Sequence, residues 1–170
     1  MTIAVRPAQD GDADRVAALL NAINSLDGAA PPMPMTPGIV RRDLLGPAPR
    51  AILLLGTLDD PEGERVIGFA TAAPIYDASR CAGILMLLDL YVEPHARRRG
   101  VARALMAALA AEALRRDAPA IWWGVDVGDD DAMRFYAAIG AAVEEHFTGL
   151  ILERPALHAL ADRPREGDGP

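Results

Sequence analysis

The stretch "GILMLLDLYVEPHARRRGVARALMAAL", residues 83–109, holds the order strand, loop, glycine, helix. Residues 83–93 form a nearly continuous apolar run, the pattern of a central strand buried on both faces. Residues 101–116 favour a helix, with Ala102, Leu105, Met106, Leu109 and Ala113 as its apolar stripe. Between them Arg97, Arg98 and Arg99 stand directly before Gly100. A helix start leaves backbone N–H groups unpaired, and its macrodipole is positive there. A glycine lets an anion approach the backbone, and guanidinium forks suit phosphate. Residues 97–103 therefore have the makings of a phosphate cradle. The order is neither a Walker loop nor the dinucleotide GxGxxG. A basic triplet before a helix is also often plain solvated surface.

Moving outward, "RAILLLGTL" (50–58) and "RVIGFATAAPIY" (65–76) read as strands of a hairpin joined through "DDPEGE". "TIAVRPA" alternates like a strand, and "DGDAD" offers caps to a helix whose face is Val16, Leu19, Leu20 and Ile23. The proline-rich segment 27–38 ends that helix. Thr36, Pro37 and Gly46 suit the N-cap, first and C′ positions of a short helix. "AIWWGVDV" (120–127) reads as a second central strand, with Trp122 and Trp123 on opposite faces. Residues 130–140 read as a helix ended by Gly140, and "AAVEEHF" and "TGLILE" as closing strands. One domain over residues 1–161 is expected, with a disordered tail at 162–170.

The 170 residues carry a formal net charge of −7. That balance disfavours nucleic acid and anionic membranes as partners and is compatible with a cationic substrate. Cys81 is the one cysteine, which excludes an intrachain disulfide and a cysteine-based metal cluster. No apolar run is long enough for a bilayer, and the first residues lack the pattern of a signal peptide. The expected location is cytoplasmic.

"Arg97-Arg98-Arg99-Gly100-Val101-Ala102" fits the pattern Arg/Gln-x-x-Gly-x-Gly/Ala after a strand ending "DLYVEP". This combination resembles the acetyl-CoA signature of the GNAT superfamily of N-acetyltransferases. "DDDAMRFYAAIGA" is similar to the family's later motif, with Ala132, Phe135, Tyr136 and Gly140 at matching positions. The opening "IAVRPAQDGDADRVAALL" resembles the family's first strand and helix, so the matching order covers residues 2–153. The resemblance implies an α/β fold, a mixed, mostly antiparallel sheet of about seven strands flanked by helices. It implies acetyl-CoA as acetyl donor, no metal, and transfer to a primary amine.

For the site, the resemblance implies that the diphosphate lies on the amides from Arg98 to Arg103, including Arg99, Val101 and Ala102. Arg97 and Gly100 take the pattern positions. It implies pairing of the pantetheine arm with the backbone of Leu90, Tyr91 and Val92, with an amide such as Leu90's as oxyanion donor. Tyr136 maps to the tyrosine that protonates the leaving thiolate; its alternative is a core aromatic with a satisfied hydroxyl. Asp89 is a carboxylate in an apolar strand, costly to bury unpaired, and so is the candidate base or amine ligand. A carboxylate paired with an arginine or a backbone amide is the alternative, and Asp126 has the same ambiguity.

Two departures stand out. The segment is similar to diamine and polyamine acetyltransferases, which have Glu-Asp where this chain has Leu88-Asp89. Asp129 stands where the family often has an asparagine on the pantetheine arm, and an ionised Asp cannot donate there. Tyr76, Asp77 and the loop 31–37, with Met33 and Met35, are candidates for the acceptor wall. His95 falls in the loop before the arginines and reads as solvated, not catalytic, and His146 and His158 lack partners at metal-ligand spacing. The preferred acceptor is a small cationic amine, with protein N-termini, lysines, amino acids and aminoglycosides open. A non-catalytic acyl-CoA sensor and an arginine-based nucleic-acid module are the rivals. The ending "ERPALHALA" is similar to polyamine-enzyme segments that help form dimers, so a homodimer is expected.

Overall fold

The computed structural model describes residues 2–25, 29–144 and 150–161. They fall into two compact units, Met1–Asp129 and Asp130–Pro170. The first unit is built on one sheet: β1 (Thr2–Pro7), β2 (Ile52–Asp60), β3 (Gly63–Asp77), β4 (Ala82–Val92) and β5 (Ile121–Trp122), in that spatial order. The first four strands are antiparallel neighbours, and β5 runs parallel to β4. The helices are α1 (Ala13–Ile23), α2 (Pro37–Val40, continued by a π turn over Arg41–Leu45) and α3 (Val101–Arg115). The fold is the expected mixed, mostly antiparallel α/β arrangement.

The sheet carries helices on both faces. Leu53 and Leu55 of β2 and Phe69 of β3 are buried with Val16, Leu19 and Leu20 of α1 and Val40 of α2. On the other face α3 buries Val101, Leu105, Met106, Leu109 and Ala113. Each such aliphatic or aromatic side chain contributes about 1.5–3 kcal/mol when fully buried. The short helix begins as expected: the Thr36 hydroxyl accepts the Ile39 N–H (3.3 Å) and Pro37 takes the first helical position. Gly46 closes it in an extended, not left-handed, conformation. Before α1, the Asp12 carboxylate accepts the Gln9 N–H (2.8 Å) and a fork from Arg6 (2.7 and 2.9 Å).

Two strand expectations change. Instead of a strand over 120–127, only Ile121 and Trp122 pair, with Leu85 and Met86. The cause lies in β4. Between Thr71 and Ala72 the β3–β4 register shifts, leaving Leu88 without a partner in β3. Such a bulge bends its strand and increases local twist, so β5 loses its neighbour just before it. For the same reason β4 is not buried on both faces throughout. Ile84, Leu85 and Leu87 are buried, but Leu88 is 48% exposed. The expected closing strands give no strand at 141–144 or 150–153, and 145–149 lie outside the described residues. The sheet thus has five strands among the described residues, not about seven. The expected tail at 162–170 also lies outside them.

The second unit contains α4 (Asp130–Ala138) and α5 (Arg154–Ala161). After α4 the Ala141 N–H returns to the Tyr136 carbonyl (3.0 Å), closing the helix end. Among the described residues no helix is long and apolar enough to cross a membrane.

Candidate active site

The exit of β4 carries most of the residues singled out in the sequence. The Glu93 N–H bonds the Ile67 carbonyl of β3 at 3.0 Å. In an antiparallel ladder the backbone groups alternate between the two edges. Asp89 and Tyr91 therefore turn their N–H and C=O toward β3, and Leu90 and Val92 turn theirs to the opposite edge. Past Met86 no described strand pairs with that opposite edge. The Val92 carbonyl accepts the Arg97 Nε–H (2.9 Å), so this arginine folds the loop back onto the strand.

The loop turns through a short 3-10 helix, Pro94–Ala96, whose Ala96 is buried. It then passes through Arg98 at φ 59 and Gly100 at φ 90. Left-handed backbone favours glycine. At Gly100 a Cβ would meet nothing within 4 Å, so conformation and not crowding calls for it. The first backbone bond of α3 runs from the Ala104 N–H to the Gly100 carbonyl (2.9 Å). The N–H groups of Val101 and Ala102 precede this ladder at the open start of the helix. Open space at Gly100, amides at a helix start and an arginine-rich approach fit a coenzyme diphosphate. The outward-turned backbone of Leu90 fits an extended arm laid beside β4.

Sequence reasoning missed Arg15. It reaches from α1 to donate twice to the Val66 carbonyl (3.0 and 2.8 Å) and pairs with Glu93 at 2.6 Å. One guanidinium thus ties α1, β3 and the end of β4 together. Nothing in the local sequence marks it, because its two partners come from distant segments.

Asp89 lies on the other side of this strand exit from α3. Phe69 and Tyr91 are register partners with ring centroids 6.0 Å apart, and both belong to the core against α1 and α2. Side chains alternate along strands, so Thr71 and Asp89, two residues on and also partners, face the same way. The Thr71 hydroxyl donates to Asp89 Oδ2 at 2.5 Å. Thr71 is buried and Asp89 half-buried. Neither alternative expected for Asp89, an arginine or a backbone amide, supplies this partner; the neighbouring strand does.

The loop before α2 is fixed on the same side. Asn21 of α1 donates to the Met35 carbonyl (2.9 Å) and accepts the Met35 N–H (2.7 Å). Met35 packs against the α1 core, whereas Met33 is 90% exposed. Asp77 caps its own turn: the Ser79 hydroxyl (2.6 Å) and Arg80 pull its carboxyl down to about 2. Tyr76 is exposed.

Asp126 is in the irregular segment after β5, not in a strand, and its carbonyl accepts the Asp129 N–H (3.1 Å) in a turn. Tyr136 belongs to the second unit, half-buried on α4 with its ring 5.1 Å from that of Phe135. His95 is exposed beside Glu93. His158 is exposed on α5, and His146 lies outside the described residues.

The family model for the acetyltransferase (GNAT) family matches residues 26–141. No curated protein matches the chain significantly. Among solved structures, the ribosomal-protein-alanine N-acetyltransferase from Brucella melitensis biovar Abortus 2308 superposes with a TM-score of 0.70 at 20% identity, covering 89% of this chain and 100% of that one. An aminoglycoside acetyltransferase from an uncultured soil metagenomic sample gives 0.70 at 15%, covering 89% and 95%. AAC(6')-Iy in complex with the bisubstrate analogue CoA-S-monomethyl-acetylneamine gives 0.72 at 18%, covering 90% and 99%. At these identities the likeness carries the fold.

Proposed function

The chain belongs to the acetyltransferase (GNAT) family and is an acetyl-CoA-dependent N-acetyltransferase, and from that premise we propose that its acceptor is a small cationic primary amine, with Asp89 as the group that receives it. The observation that carries this reading is the place of Asp89. Its carboxylate stands on the α1–α2 side of β4, one residue before Leu90, whose backbone turns to the edge that β5 has left. A cation entering from the α1–α2 side meets a carboxylate next to the amide suited to an acetyl oxygen. The net charge of −7 also favours a cation's approach.

Acetyl-CoA supplies an acetyl group activated as a thioester. The chain's residues then have separate tasks in the proposal. Val101, Ala102 and their neighbours hold the diphosphate through backbone N–H groups, with charge from Arg98, Arg99 and Arg103 nearby. Leu90 offers its N–H to negative charge developing on the acetyl oxygen. Asp89 binds the acceptor ammonium and takes its proton, directly or through one water, because only the neutral amine is nucleophilic. Tyr136 returns a proton to the sulfur as the carbon–sulfur bond breaks. The proposal treats residues 1–161 as one domain; the family match over residues 26–141 runs from the first unit into the start of the second. The same reading includes a homodimer, tested by sedimentation.

Thiol release from acetyl-CoA is to be followed across a panel of polyamines, amino acids, aminoglycosides and N-terminal peptides. The expected preference is for a polyamine or another small polycation, with Asp89→Asn reducing kcat/KM about a hundredfold. A preference for neutral peptide N-termini, or full turnover in Asp89→Asn, overturns the acceptor reading.

A further inference from the structure

We infer that Thr71 is a positioning residue for the acceptor amine: its buried hydroxyl holds Asp89 Oδ2, which leaves Oδ1 as the oxygen presented to the ammonium. The inference rests on the reading of Asp89 as the amine's receptor.

Three observations converge on it. Thr71 is 3% exposed, and its Oγ1 stands 2.5 Å from Oδ2 of Asp89, to which it donates. A buried hydroxyl needs a partner, and a carboxylate is the strongest acceptor it can have. Second, the two residues are register partners on adjacent strands, so the bond is set by the backbone ladder and not by a chance rotamer. Third, the pair sits at the register shift. With Leu88 unmatched, the alternation of β4 restarts at Asp89, and the carboxylate comes opposite Thr71 on the α1–α2 side. Thus the bulge aims the carboxylate and Thr71 locks it.

This arrangement has a chemical consequence. A carboxylate with both oxygens free can rotate to follow a cation or take a guanidinium fork. Asp89 with Oδ2 engaged offers a single point of contact, which suits one N–H of an alkylammonium and holds its nitrogen in one place. Fixing a nucleophile's position is where such a bond acts on rate. Thr71 itself gains and loses no proton, since its O–H stays with its own oxygen throughout.

The test uses the full chain and three variants: Thr71→Val, which keeps the shape without the hydroxyl, Thr71→Ser, which restores it, and Asp89→Asn. The first readout needs no acceptor. The carboxyl 13C resonance of Asp89, assigned by its loss in Asp89→Asn, is expected to move in Thr71→Val and to return toward wild type in Thr71→Ser. An unmoved resonance in Thr71→Val overturns the inference. The second readout is turnover on the best amine of the panel, with coenzyme affinity measured by calorimetry beside it. Thr71→Val is expected to lose about tenfold in kcat/KM at unchanged coenzyme affinity, and Thr71→Ser to recover most of it. In an Asp89→Asn background the Thr71→Val change should cost almost nothing further. Equal losses of turnover and coenzyme affinity in Thr71→Val assign Thr71 a scaffold role and refute the inference. Full turnover in Asp89→Asn instead removes the reading beneath it, and the resonance then reports the pair alone.

Discussion

Gly56 of β2 faces Val101 at the first turn of α3, so closely that a Cβ on Gly56 would stand 2.8 Å from Val101 Cγ1. Its register partner across the sheet is Gly68 of β3. The space that the missing Gly56 side chain leaves takes the Val101 methyl, whereas a Cβ on Gly68 would meet the Tyr91 carbonyl of β4 at 2.5 Å. The helix turn whose amides are proposed to hold the coenzyme is thereby set against β2.

This contact predicts a coupled pair. Gly56→Ala must push Val101, a buried β-branched side chain with little rotamer freedom, and should cost about 1–3 kcal/mol of stability. Gly56→Ala combined with Val101→Ala should lose less than the two single changes added together. Urea unfolding of all three variants checks this; strict additivity contradicts the contact.

Gly100 predicts a different loss. Space is open around it, so Gly100→Ala fails through backbone conformation alone, at about 1–2 kcal/mol. A relaxed φ also turns the Val101 and Ala102 N–H groups, and coenzyme affinity should fall about tenfold with it. Gly100→Asn should be milder, because asparagine tolerates the left-handed region. Calorimetric titration with coenzyme A ranks the three proteins. Equal affinity in all of them excludes this turn as the cradle.

Asn21 predicts a separation of acceptor from coenzyme. Its side-chain amide makes both bonds to the Met35 backbone. Asn21→Ala should free the loop before α2 and raise the acceptor's KM while coenzyme affinity stays constant. Steady-state kinetics with each substrate varied in turn measures this, and a change confined to coenzyme would place the loop on the wrong side of the strand.

Asp12 predicts a pH dependence. The Arg6 fork holds its carboxyl below the ordinary aspartate value of 3.8, against the opposing effect of burial. A carboxyl with a lowered folded value contributes stability above its unfolded value and loses it as pH falls through the folded one. Asp12→Asn should therefore be less stable than wild type near neutral pH, by about 1 kcal/mol. The gap should close in acid, as pH falls through the lowered folded value. Denaturant midpoints at the two pH values measure it; a gap of constant size would mean that charge is not its source.

The local features were legible from sequence because each depends on near neighbours in the chain. Thr36 and Pro37 start a helix through their own side chains, and the stripe Leu105, Met106, Leu109, Ala113 follows from the helical period. Gly100 before an Ala-rich run marks a helix start in the same way. The strand over 120–127 was overstated because alternation measures a segment's fitness to pair, not whether an edge is there to receive it. The short pairing of Ile121 and Trp122 was decided by a register shift in another pair of strands.

What the sequence determined alone, then, is the order of the elements from β1 through α3 and the arginines and glycine at the turn from β4 into α3. Tertiary structure decided which distant groups meet: Arg15 with Glu93, Gly56 with Val101, Thr71 with Asp89. The physical reason is range. Propensity, capping and periodicity act within a few residues. A hydrogen bond between residues 18 positions apart exists only once pairing of two strands has fixed their register, and here one unmatched leucine sets that register.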